Sequence, residues 1–409
     1  MSFFVIHIMK KFFKKVFTKH FFYSTVVIVI FFERVLLVEK LCRLWLLAIA
    51  RVGRNGVNHI LNKFGSAEAF YNLSAKEIQG LKFLSDSEKE RILKKELDLA
   101  KNYLSYIENN QTKFITPLDE EFPRALFEIE DCPQGLFLRG KGVDLNDNIF
   151  VSVVGARKCT QYGYASAKTL SKGIANEGAI IVSGMALGID SAAHEGALEA
   201  GMPTIAVFGC GVNVVYPPTN HNLMKRIMET GMVISEYPVN TEPSKYTFPE
   251  RNRIISGIAN AILVVEATNR SGSLITARCA AEQGKDLFAV PGNINSVYSG
   301  GTNELIKDGA HLVSCAEDVT FYYKSQLEHI KKRFNTENVK SNEYYSLSCA
   351  NNDIEAQISS ILTSEPISIE VIASKLDASI SSVSTALLIM ELAGKVIAYP
   401  GAKYSSPIN

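Results

Sequence analysis

The chain is 409 residues long, which is enough for two or three domains. Hydrophobic residues make up 47% and charged residues 21% of it, as is typical of a globular protein with a sizeable core. Because the formal net charge is only +1, nucleic acid or another anion must be bound through a local basic patch. The seven cysteines form no C-x-x-C pair, which excludes a zinc ribbon or disulfide framework and favours a reducing, cytoplasmic location.

Residues 1–40 differ in composition from the remainder of the chain. Lysines alternate with phenylalanines before an apolar run, Phe21–Phe32. This run is shorter than the about 20 residues that span a bilayer, so we predict no membrane partner. Its basic-then-apolar order imitates a signal peptide, but no small-residue cleavage site follows it. We interpret residues 1–40 as an extension of unclear status; a basic amphipathic anchor is the alternative.

A helical domain is predicted over residues 41–110. Leu41–Gly65 has the apolar spacing of two short helices separated by a glycine-bearing turn, Val52–Gly56. This pattern is typical of a helix-hairpin-helix, whose turn amides contact a DNA phosphate, and also of a plain packing module, which we favour. A further helix is predicted from Ser85 to Glu108.

Residues 111–323 are predicted to form an α/β domain with its lead-in. Prolines and glycines punctuate Phe114–Leu126 and Pro133–Gly140, as in a connector with short strands. Apolar runs of strand length then alternate with stretches of helical length such as Tyr162–Glu177 and Asp190–Ala200. The alternation predicts a doubly wound, mostly parallel sheet. The predicted strands are Phe150–Val154, Ala179–Ser183, Thr204–Phe208, Met232–Ser235, Ala261–Val265 and Leu287–Val290.

Glycine stands beside serine, asparagine or arginine at most of the predicted strand ends. In such sheets ligands bind outside the carboxyl ends of the strands. Glycine lets backbone amides approach an anion, and helix N-termini favour negative charge there. The sequence therefore predicts a phosphate-lined cleft whose residues include Gly155, Arg157, Ser183, Gly184, Gly188, Ser271, Gly272 and Ser273.

The stretch Tyr246–Gly257, Y-T-F-P-E-R-N-R-I-I-S-G, is predicted to be a loop between two strands. Arg251 and Arg253 are candidate phosphate contacts, and Asn252 would hold the loop. Phe248 or Tyr246 would offer a face to a base. In the alternative, the two arginines brace the loop by bonding to acidic side chains or backbone carbonyls. The residues leave both open.

Several chemistries are excluded by missing motifs. The sequence contains no P-loop, no G-x-G-x-x-G after the first strand and no metal-binding spacing such as H-E-x-x-H. His194 is a lone helical histidine, for which packing or hydrogen bonding is favoured over general-base catalysis. Asp190 is interpreted as a residue that caps a helix or holds its loop. We therefore predict no cofactor, no metal and no catalytic residue.

The C-terminal part reads as a polar linker, residues 324–352, followed by a winged-helix-like domain, residues 353–409. Three helices are predicted at Ile354–Leu362, Ile367–Leu376 and Ile380–Ala393, and a wing strand at residues 394–399. The third helix of a winged helix often enters a DNA groove. Because few basic residues lie on it here, a protein-binding or structural role is at least as well supported.

Together these motifs resemble the DprA/Smf family of bacterial DNA-processing proteins, over roughly residues 41–404. The matching motifs are G-A-R at Gly155–Arg157, S-G-M-A-L-G-I-D at Ser183–Asp190 with His194, G-C-G-V-N-V-V-Y-P at Gly209–Pro217 with Asn220, S-E-Y-P at Ser235–Pro238, F-P-E-R-N-R-I-I-S-G at Phe248–Gly257, E-A-x-x-x-S-G-S at Glu266–Ser273, P-G at Pro291–Gly292 and G-T-N-x-L-I at Gly301–Ile306.

The resemblance implies a Rossmann-like core that binds single-stranded DNA, usually as a homodimer, protects it and helps load the RecA recombinase during natural transformation. It also implies an N-terminal SAM-like or helix-hairpin-helix domain, a C-terminal winged helix, no cofactor and no established catalysis. By position, Arg157 and Lys245 are the implied phosphate contacts and Phe248 the stacking residue. Three features depart from the family pattern: the hairpin turn at Val52–Gly56 is degenerate, Pro217-Pro218 leaves no basic residue where some relatives have one, and residues 1–40 have no counterpart.

An enzyme is the competing hypothesis. G-G-T-N-E at Gly300–Glu304 partly imitates the G-G-x-G-T-x-x-E signature of Rossmann-like phosphoribohydrolases, which hydrolyse nucleoside monophosphates. The spacing fails, because the glycine before the threonine is missing and Glu304 is displaced. Sequence-independent binding of single-stranded DNA is therefore the preferred function.

Overall fold

The computed structural model describes residues 34–330, 357–363, 365–376, 378–392, 395–399 and 401–406. The chain divides into two compact units after Glu328. Residues 1–33 of the predicted extension and residues 331–352 of the predicted linker lie outside the described residues. No helix within the described ranges is long and apolar enough to cross a bilayer.

The first unit opens with a layer of short helices. Their core contains Trp45, Ile60 and Phe70, which are fully buried. A π-helical turn, Trp45–Ile49, follows the first helix. The helices are α1 (34–44), α2 (Arg54–Phe64), α3 (Ala67–Tyr71), α4 (Ala75–Gln79), α5 (Asp86–Leu93) and α6 (Leu97–Asn109).

Helix α1 is described from residue 34, before the predicted domain start at residue 41. Its Glu39 side chain is only 7% exposed. The carboxylate accepts hydrogen bonds from the Ala67 and Glu68 amides (3.0 and 2.9 Å) and pairs with Arg43 (2.9 Å). Glu39 thus caps α3, whose first amides have no partner within the helix. The last residues of the predicted extension are therefore part of the folded core.

The predicted helix Ser85–Glu108 is wrong as a single element. It breaks between α5 and α6 at Lys95, whose φ of 51° is left-handed. The break lets the Lys95 carbonyl accept a hydrogen bond from the Tyr71 hydroxyl (2.8 Å). At the neighbouring hairpin turn, the Gly53 amide donates to the Glu88 carboxylate (3.1 Å). Because that carboxylate occupies the place of a phosphate, the turn supports the packing interpretation.

A nine-stranded sheet forms the centre of the first unit. Its order is β1-β2-β6-β5-β4-β3-β7-β8-β9. Strands β3 to β9 are mutually parallel, whereas β2 is antiparallel to β6 and β1 to β2. The strands are β1 (Thr112–Ile115), β2 (Leu136–Gly140), β3 (Phe150–Val154), β4 (Ile180–Ser183), β5 (Thr204–Phe208), β6 (Met232–Ser235), β7 (Ala261–Val264), β8 (Asp286–Ala289) and β9 (His311–Leu312).

The mostly parallel, doubly wound sheet confirms the predicted fold class, and all six predicted strands are present. Both faces of the sheet are covered, as the continuous apolar strands require. In β5, Ile205 and Val207 join one apolar cluster, while Ala206 and Phe208 join another on the opposite face. The second cluster also contains Leu44 of α1, so the N-terminal helices pack against the sheet.

The helices between and after the strands follow the predicted alternation, with one correction. Tyr246–Gly257 is not a loop, because Thr247–Ile258 is helical. Pro249 lies in the first turn, where a missing amide proton is tolerated. The helices are α7 (Gln161–Asn176), α8 (Ile189–Glu199), α9 (His221–Thr230), α10 (Thr247–Ile258), α11 (Ser273–Glu282), α12 (Gly300–Lys307), α13 (Glu317–Thr320) and α14, which begins at residue 324 and is described to residue 330.

The second unit has the helix, helix, helix and wing order of a winged helix. Its helices are α15 (described over 357–361), α16 (Ile369–Leu376) and α17 (Ile380–Leu392). A three-stranded sheet of order β10-β12-β11 completes it, formed by Ile367–Ser368, Lys403–Ser405 and Ile397–Tyr399. Ile358, Ile372, Val383 and Leu387 are buried in its core.

His194 is a core residue of α8. Its Nδ1 lies 2.8 Å from the Thr204 hydroxyl, which itself donates to the Ile181 carbonyl (2.7 Å). Since the hydroxyl proton is used there, Nδ1 carries the proton of the neutral ring and donates to Thr204. Nε2 is buried without a partner. Burial, together with the nearby Arg251 charge, lowers the pKa of His194 to about 3. The structure favours hydrogen bonding over general-base catalysis.

Replacement of Glu39 by alanine tests whether α1 belongs to the core. Glu39→Ala leaves Arg43 without its carboxylate partner and two amides of α3 without an acceptor in a buried site. We expect the free energy of unfolding to fall by about 3–5 kcal/mol, as when one partner of a buried ion pair is removed. Chemical denaturation measures this, with the exposed Glu108→Ala as the matched control. Equal stability of the two variants would contradict the assignment.

The burial of His194 predicts a pH dependence of stability. Below pH 6.5 the unfolded chain protonates this histidine, whereas the folded chain does so only near pH 3. The unfolded state then binds more protons, so stability falls as the pH drops from 6.5 towards 3. His194→Asn keeps a donor to Thr204 and should remove up to about 1.4 kcal/mol per pH unit of that slope.

Denaturation of wild type, His194→Asn and the exposed control His221→Asn at a series of pH values measures the effect. His221→Asn should retain the wild-type profile. Parallel profiles for wild type and His194→Asn between pH 6.5 and 3 would show that His194 is not buried as described.

Candidate nucleic-acid interface

The candidate site lies at the carboxyl edge of the parallel strands. Strand β3 is central, with β4, β5 and β6 on one side and β7 and β8 on the other. Strands β4 to β6 are therefore added on one side of β3, and β7 is then added on its other side, so the strand order reverses at β3. Crevices at such crossover points are where doubly wound sheets bind ligands.

Arg251 of α10 fills the interior of this edge. Its side chain is only 4% exposed. The Nη1 group donates to the Gly184 carbonyl (2.7 Å) and to the Val207 carbonyl, which belong to the ends of β4 and β5. A Cβ atom at Gly184 would lie 2.6 Å from the guanidinium, so only glycine fits there. The structure places Arg251 as a brace below the surface.

Asp190 and Arg251 form the buried charge system of the site. Burial raises the pKa of the Asp190 carboxyl, although Arg251 and the Ala186 amide, a donor at 3.2 Å, act to lower it. Burial likewise lowers the pKa of Arg251 to about 10, against the stabilising charge of Asp190. Arg157 also lowers the pKa of Arg251 by like-charge repulsion. Arg157 therefore adds an exposed positive charge close to the buried Arg251.

The remaining predicted residues of the β3 and β4 ends serve the scaffold. Ser183 is fully buried and donates to the Val153 carbonyl (2.6 Å). Gly188 precedes α8 with a φ of 78°, and a Cβ there would lie 2.4 Å from the Ala156 carbonyl. Gly155 packs against Ile189, where a Cβ would lie 2.6 Å from that side chain. These residues shape the turn and present no side chain to a ligand.

Arg253 is also a brace. It is 7% exposed, pairs with the buried Glu236 and donates to the Asp131 carbonyl. Burial raises the pKa of Glu236, and Arg253 opposes that shift. Arg54 of α2 contacts the Asp131 carboxylate (3.3 Å). The charge cluster thus connects α10, the end of β6 and the N-terminal helices.

Glu266, directly after β7, holds the loop that carries Arg157. Its carboxylate accepts hydrogen bonds from the amide and hydroxyl of Thr160 (2.8 and 2.6 Å), next to the first turn of α7. A Cβ at Gly163 would lie 2.3 Å from this carboxylate. Since Glu266 occupies the N-terminus of α7, backbone amides there do not supply the predicted phosphate contact.

Arg157, Phe248 and Tyr216 form a contiguous cluster at the rim, hereafter the rim cluster. Arg157 is exposed, and its Cζ lies 5.0 Å from the centroid of the Phe248 ring. The Tyr216 ring, 41% exposed, lies 5.4 Å from that of Phe248 at an interplanar angle of 35°. Gly209 lies beneath, where a Cβ would be 2.9 Å from Phe248. One cation and two aromatic faces thus meet at the ligand edge.

Lys245 and Tyr246 extend this surface just before α10. Both are exposed, Tyr246 to 69%. The Lys245 Nζ lies 5.0 Å from the centroid of the Tyr246 ring. A second cation therefore stands beside a third aromatic face.

The Ser271–Ser273 segment lies at the start of α11. Ser271 and Ser273 bond each other through their hydroxyls (2.8 Å), and the Ser271 hydroxyl accepts from the Ser273 amide (3.4 Å). Gly272 is exposed, and its carbonyl accepts from the Asn252 side chain (3.4 Å). Asn252 therefore connects α10 to this turn. The Ser271 hydroxyl accepts the hydrogen bond of the Ser273 amide, which was expected to face an anion.

The sequence missed Tyr216. It lies in the G-C-G-V-N-V-V-Y-P motif, but its importance depends on its contact with Phe248 of helix α10, 32 positions further along the chain. An aromatic residue next to a proline at a strand end was the available signal. Of the predicted site residues, Arg157, Lys245 and Phe248 reach the rim with it.

The described residues contain no group of three or more histidine, cysteine, aspartate or glutamate side chains placed to hold a metal ion. All six cysteines in the described ranges are free thiols. The rim combines exposed guanidinium and ammonium groups with aromatic faces. Such groups bind phosphates and stack on bases.

Two family models match the chain. That of DNA recombination-mediator protein A matches residues 113–324, more than half of the sequence, and that of the DprA winged helix domain matches residues 346–402. DNA processing protein DprA of Streptococcus pneumoniae is 46% identical over 49% of this chain and 71% of the relative. Protein Smf of Escherichia coli is 37% identical over 70% of this chain and 76% of the relative.

The fold agrees with a solved structure. The crystal structure of DNA processing protein A from Streptococcus pneumoniae matches with a TM-score of 0.60 and 36% identity, over 67% of this chain and 95% of that one. The strand-end motifs, the doubly wound sheet, the C-terminal winged helix and these matches agree, and the chain belongs to the DprA/Smf family of DNA-processing proteins.

Proposed function

We propose that this protein binds single-stranded DNA without sequence preference through the rim cluster and Lys245. The observation that carries the proposal is the contact of Arg157 with Phe248, beside Tyr216. The guanidinium supplies a phosphate contact, and the aromatic rings supply stacking surfaces for bases. Family membership, with DNA processing in its relatives' names, supports the same ligand.

The chemistry of the rim favours a single strand over a duplex. Bases in a duplex are stacked on each other, whereas unpaired bases present their faces to aromatic side chains. Phosphate contacts and stacking are common to all four nucleotides, so they give affinity without sequence preference. Arg251 and Arg253 are buried, and we assign them to the support of the site.

Nucleotide hydrolysis is the less favoured function. The Asn303 side chain both accepts from the Gly292 amide (3.1 Å) and donates to the Gly292 carbonyl (3.0 Å), which gives the G-T-N motif a structural role. Glu304 pairs with Lys307 on the surface (3.2 Å), where its side chain is 62% exposed. A general base for hydrolysis is expected to face the enclosed ligand instead.

The finer functional expectations come from the family resemblance. We infer that the protein protects the strand and helps load RecA during natural transformation, in the cytoplasm. We also infer a homodimer: among the described residues β9 has a strand neighbour on one side only, and Leu312, Phe321 and Tyr322 near this edge are 52%, 75% and 49% exposed. For the winged helix we propose a protein-binding or structural role.

Arg157→Ala tests the proposed DNA contact. Loss of one charge-assisted phosphate contact should weaken binding by about 1.5–3 kcal/mol. It should also reduce the slope of log K against log salt by about 0.7, the value for one phosphate of a single strand. Fluorescence titration with a short oligothymidylate at several salt concentrations measures both. Lys245→Ala should show the same signature.

Lys82→Ala is the matched control, because Lys82 is exposed on the N-terminal helical layer. Thermal unfolding of each variant should coincide with that of wild type. Unchanged affinity and salt slope in both Arg157→Ala and Lys245→Ala would refute the proposed site.

Incubation with nucleoside monophosphates separates the two functions. We expect no release of ribose 5-phosphate, since Glu304 is on the surface and Asn303 is held by Gly292. Glu304→Ala provides the control for background hydrolysis. Release by wild type that disappears in Glu304→Ala would favour the enzyme.

A further inference from the structure

The rim beside Arg157 continues into a second exposed surface around Tyr162. The loop after β3 runs from Arg157 to Thr160 and enters α7, so Tyr162 lies in the first turn of that helix. Its side chain is 55% exposed, and its hydroxyl donates to the Pro291 carbonyl (3.2 Å). This bond fixes the aromatic ring at the start of the loop that follows β8.

That loop, residues 291–299, is held at both ends. Asn303 bonds both backbone groups of Gly292 at the beginning. Near the end, the Tyr298 carbonyl accepts from the Ala267 amide (2.8 Å). The residues between these two anchors therefore project from a fixed base.

The tip of the loop exposes two branched apolar side chains. Ile294 is 91% exposed and Val297 72% exposed. Two such side chains next to an exposed tyrosine form an apolar surface of the kind that marks an interaction site. Two exposed basic residues flank this surface. Lys158 lies between Arg157 and Tyr162 in the sequence. Arg270 follows Asn269, whose side chain packs against Gly300 at the end of the loop.

We propose that Tyr162 and the loop tip, residues 293–297, form a second subsite for the same DNA strand, next to the rim cluster. The inference rests on the proposed function. A short backbone segment joins Arg157 to Tyr162, so a strand leaving the first subsite meets the tyrosine ring next. A base stacks on that ring, the apolar tip contacts the following base, and Lys158 and Arg270 neutralise phosphates.

Continuity and charge select DNA as the occupant. The surface adjoins the rim cluster, and its exposed flanking charges, Lys158 and Arg270, are positive. Glu266 already occupies the N-terminus of α7, so recognition depends on the side chains and not on helix amides. A protein partner is the alternative occupant that the experiment distinguishes.

The experiment measures the affinity of the full-length protein for oligothymidylates of increasing length by fluorescence anisotropy at constant salt. Wild-type affinity should rise a second time when the strand becomes long enough to reach Tyr162. Tyr162→Ala should remove this second rise, weakening long oligonucleotides by roughly 5- to 150-fold and leaving the shortest ones unchanged. The double variant Ile294→Ser with Val297→Ser should weaken only the long ones.

Two controls separate stacking from folding. Tyr162→Phe keeps the ring and should retain most of the second rise. Tyr106→Ala removes an equally exposed tyrosine from α6 and should behave as wild type. The second subsite is overturned if Tyr162→Ala has wild-type affinity for oligonucleotides of every length. It is also overturned if the variant loses affinity equally at every length.

If the double variant Ile294→Ser with Val297→Ser binds oligonucleotides of every length as wild type does, the loop tip is not part of the DNA subsite. The tip is then assigned to a protein partner. Arg157→Ala distinguishes the two levels of inference. It should weaken oligonucleotides of every length, including those too short to reach Tyr162. If Arg157→Ala binds the short oligonucleotides as tightly as wild type does, while Tyr162→Ala still removes the second rise, the first subsite is contradicted. If the wild-type protein binds no oligonucleotide, both subsites are contradicted.

Discussion

The buried guanidinium of Arg251 is the contact on which the geometry of the site depends. A charge taken out of water is costly unless hydrogen bonds and an opposite charge compensate it. Here the Gly184 and Val207 carbonyls and the field of Asp190 do so. Phe248 lies three residues before Arg251 on the same helix, and residues so spaced share a face. Anchoring Arg251 below therefore fixes the Phe248 ring above it, at the rim.

The charges of the site divide into two groups with different roles. Arg253 with Glu236, and Arg251 with Asp190, are buried and compensated inside the protein. Arg157 is exposed, and its charge opposes that of Arg251. Under the proposed function, an anion bound at the rim would relieve this repulsion, so the buried charge would favour an anionic ligand without touching it. A local arrangement of this kind reconciles anion binding with a net charge of only +1.

The sequence revealed the fold more completely than the site. Strands such as β3, β5 and β6 are continuous apolar runs, so their bounds could be predicted to the residue. The helix α10 was missed because two arginines in an apolar stretch look like a surface loop. Their burial depends on the Gly184 and Val207 carbonyls and on Glu236, which are distant in sequence. Tyr216 was missed for the same reason, since only the folded chain brings it to Phe248.

Most motif residues that relate this chain to its family are structural. Ser183, Asn220, Glu266 and Asn303 bond to backbone groups of neighbouring turns, and Arg251 and Arg253 are buried among carbonyls and carboxylates. Of the contacts predicted from the sequence, Arg157, Lys245 and Phe248 lie at the rim, where Tyr216 joins them. The motifs therefore specify the shape of the crevice, and under the proposed function a few rim side chains determine what it binds. A relative that keeps every brace but changes these side chains would keep the fold and lose the ligand.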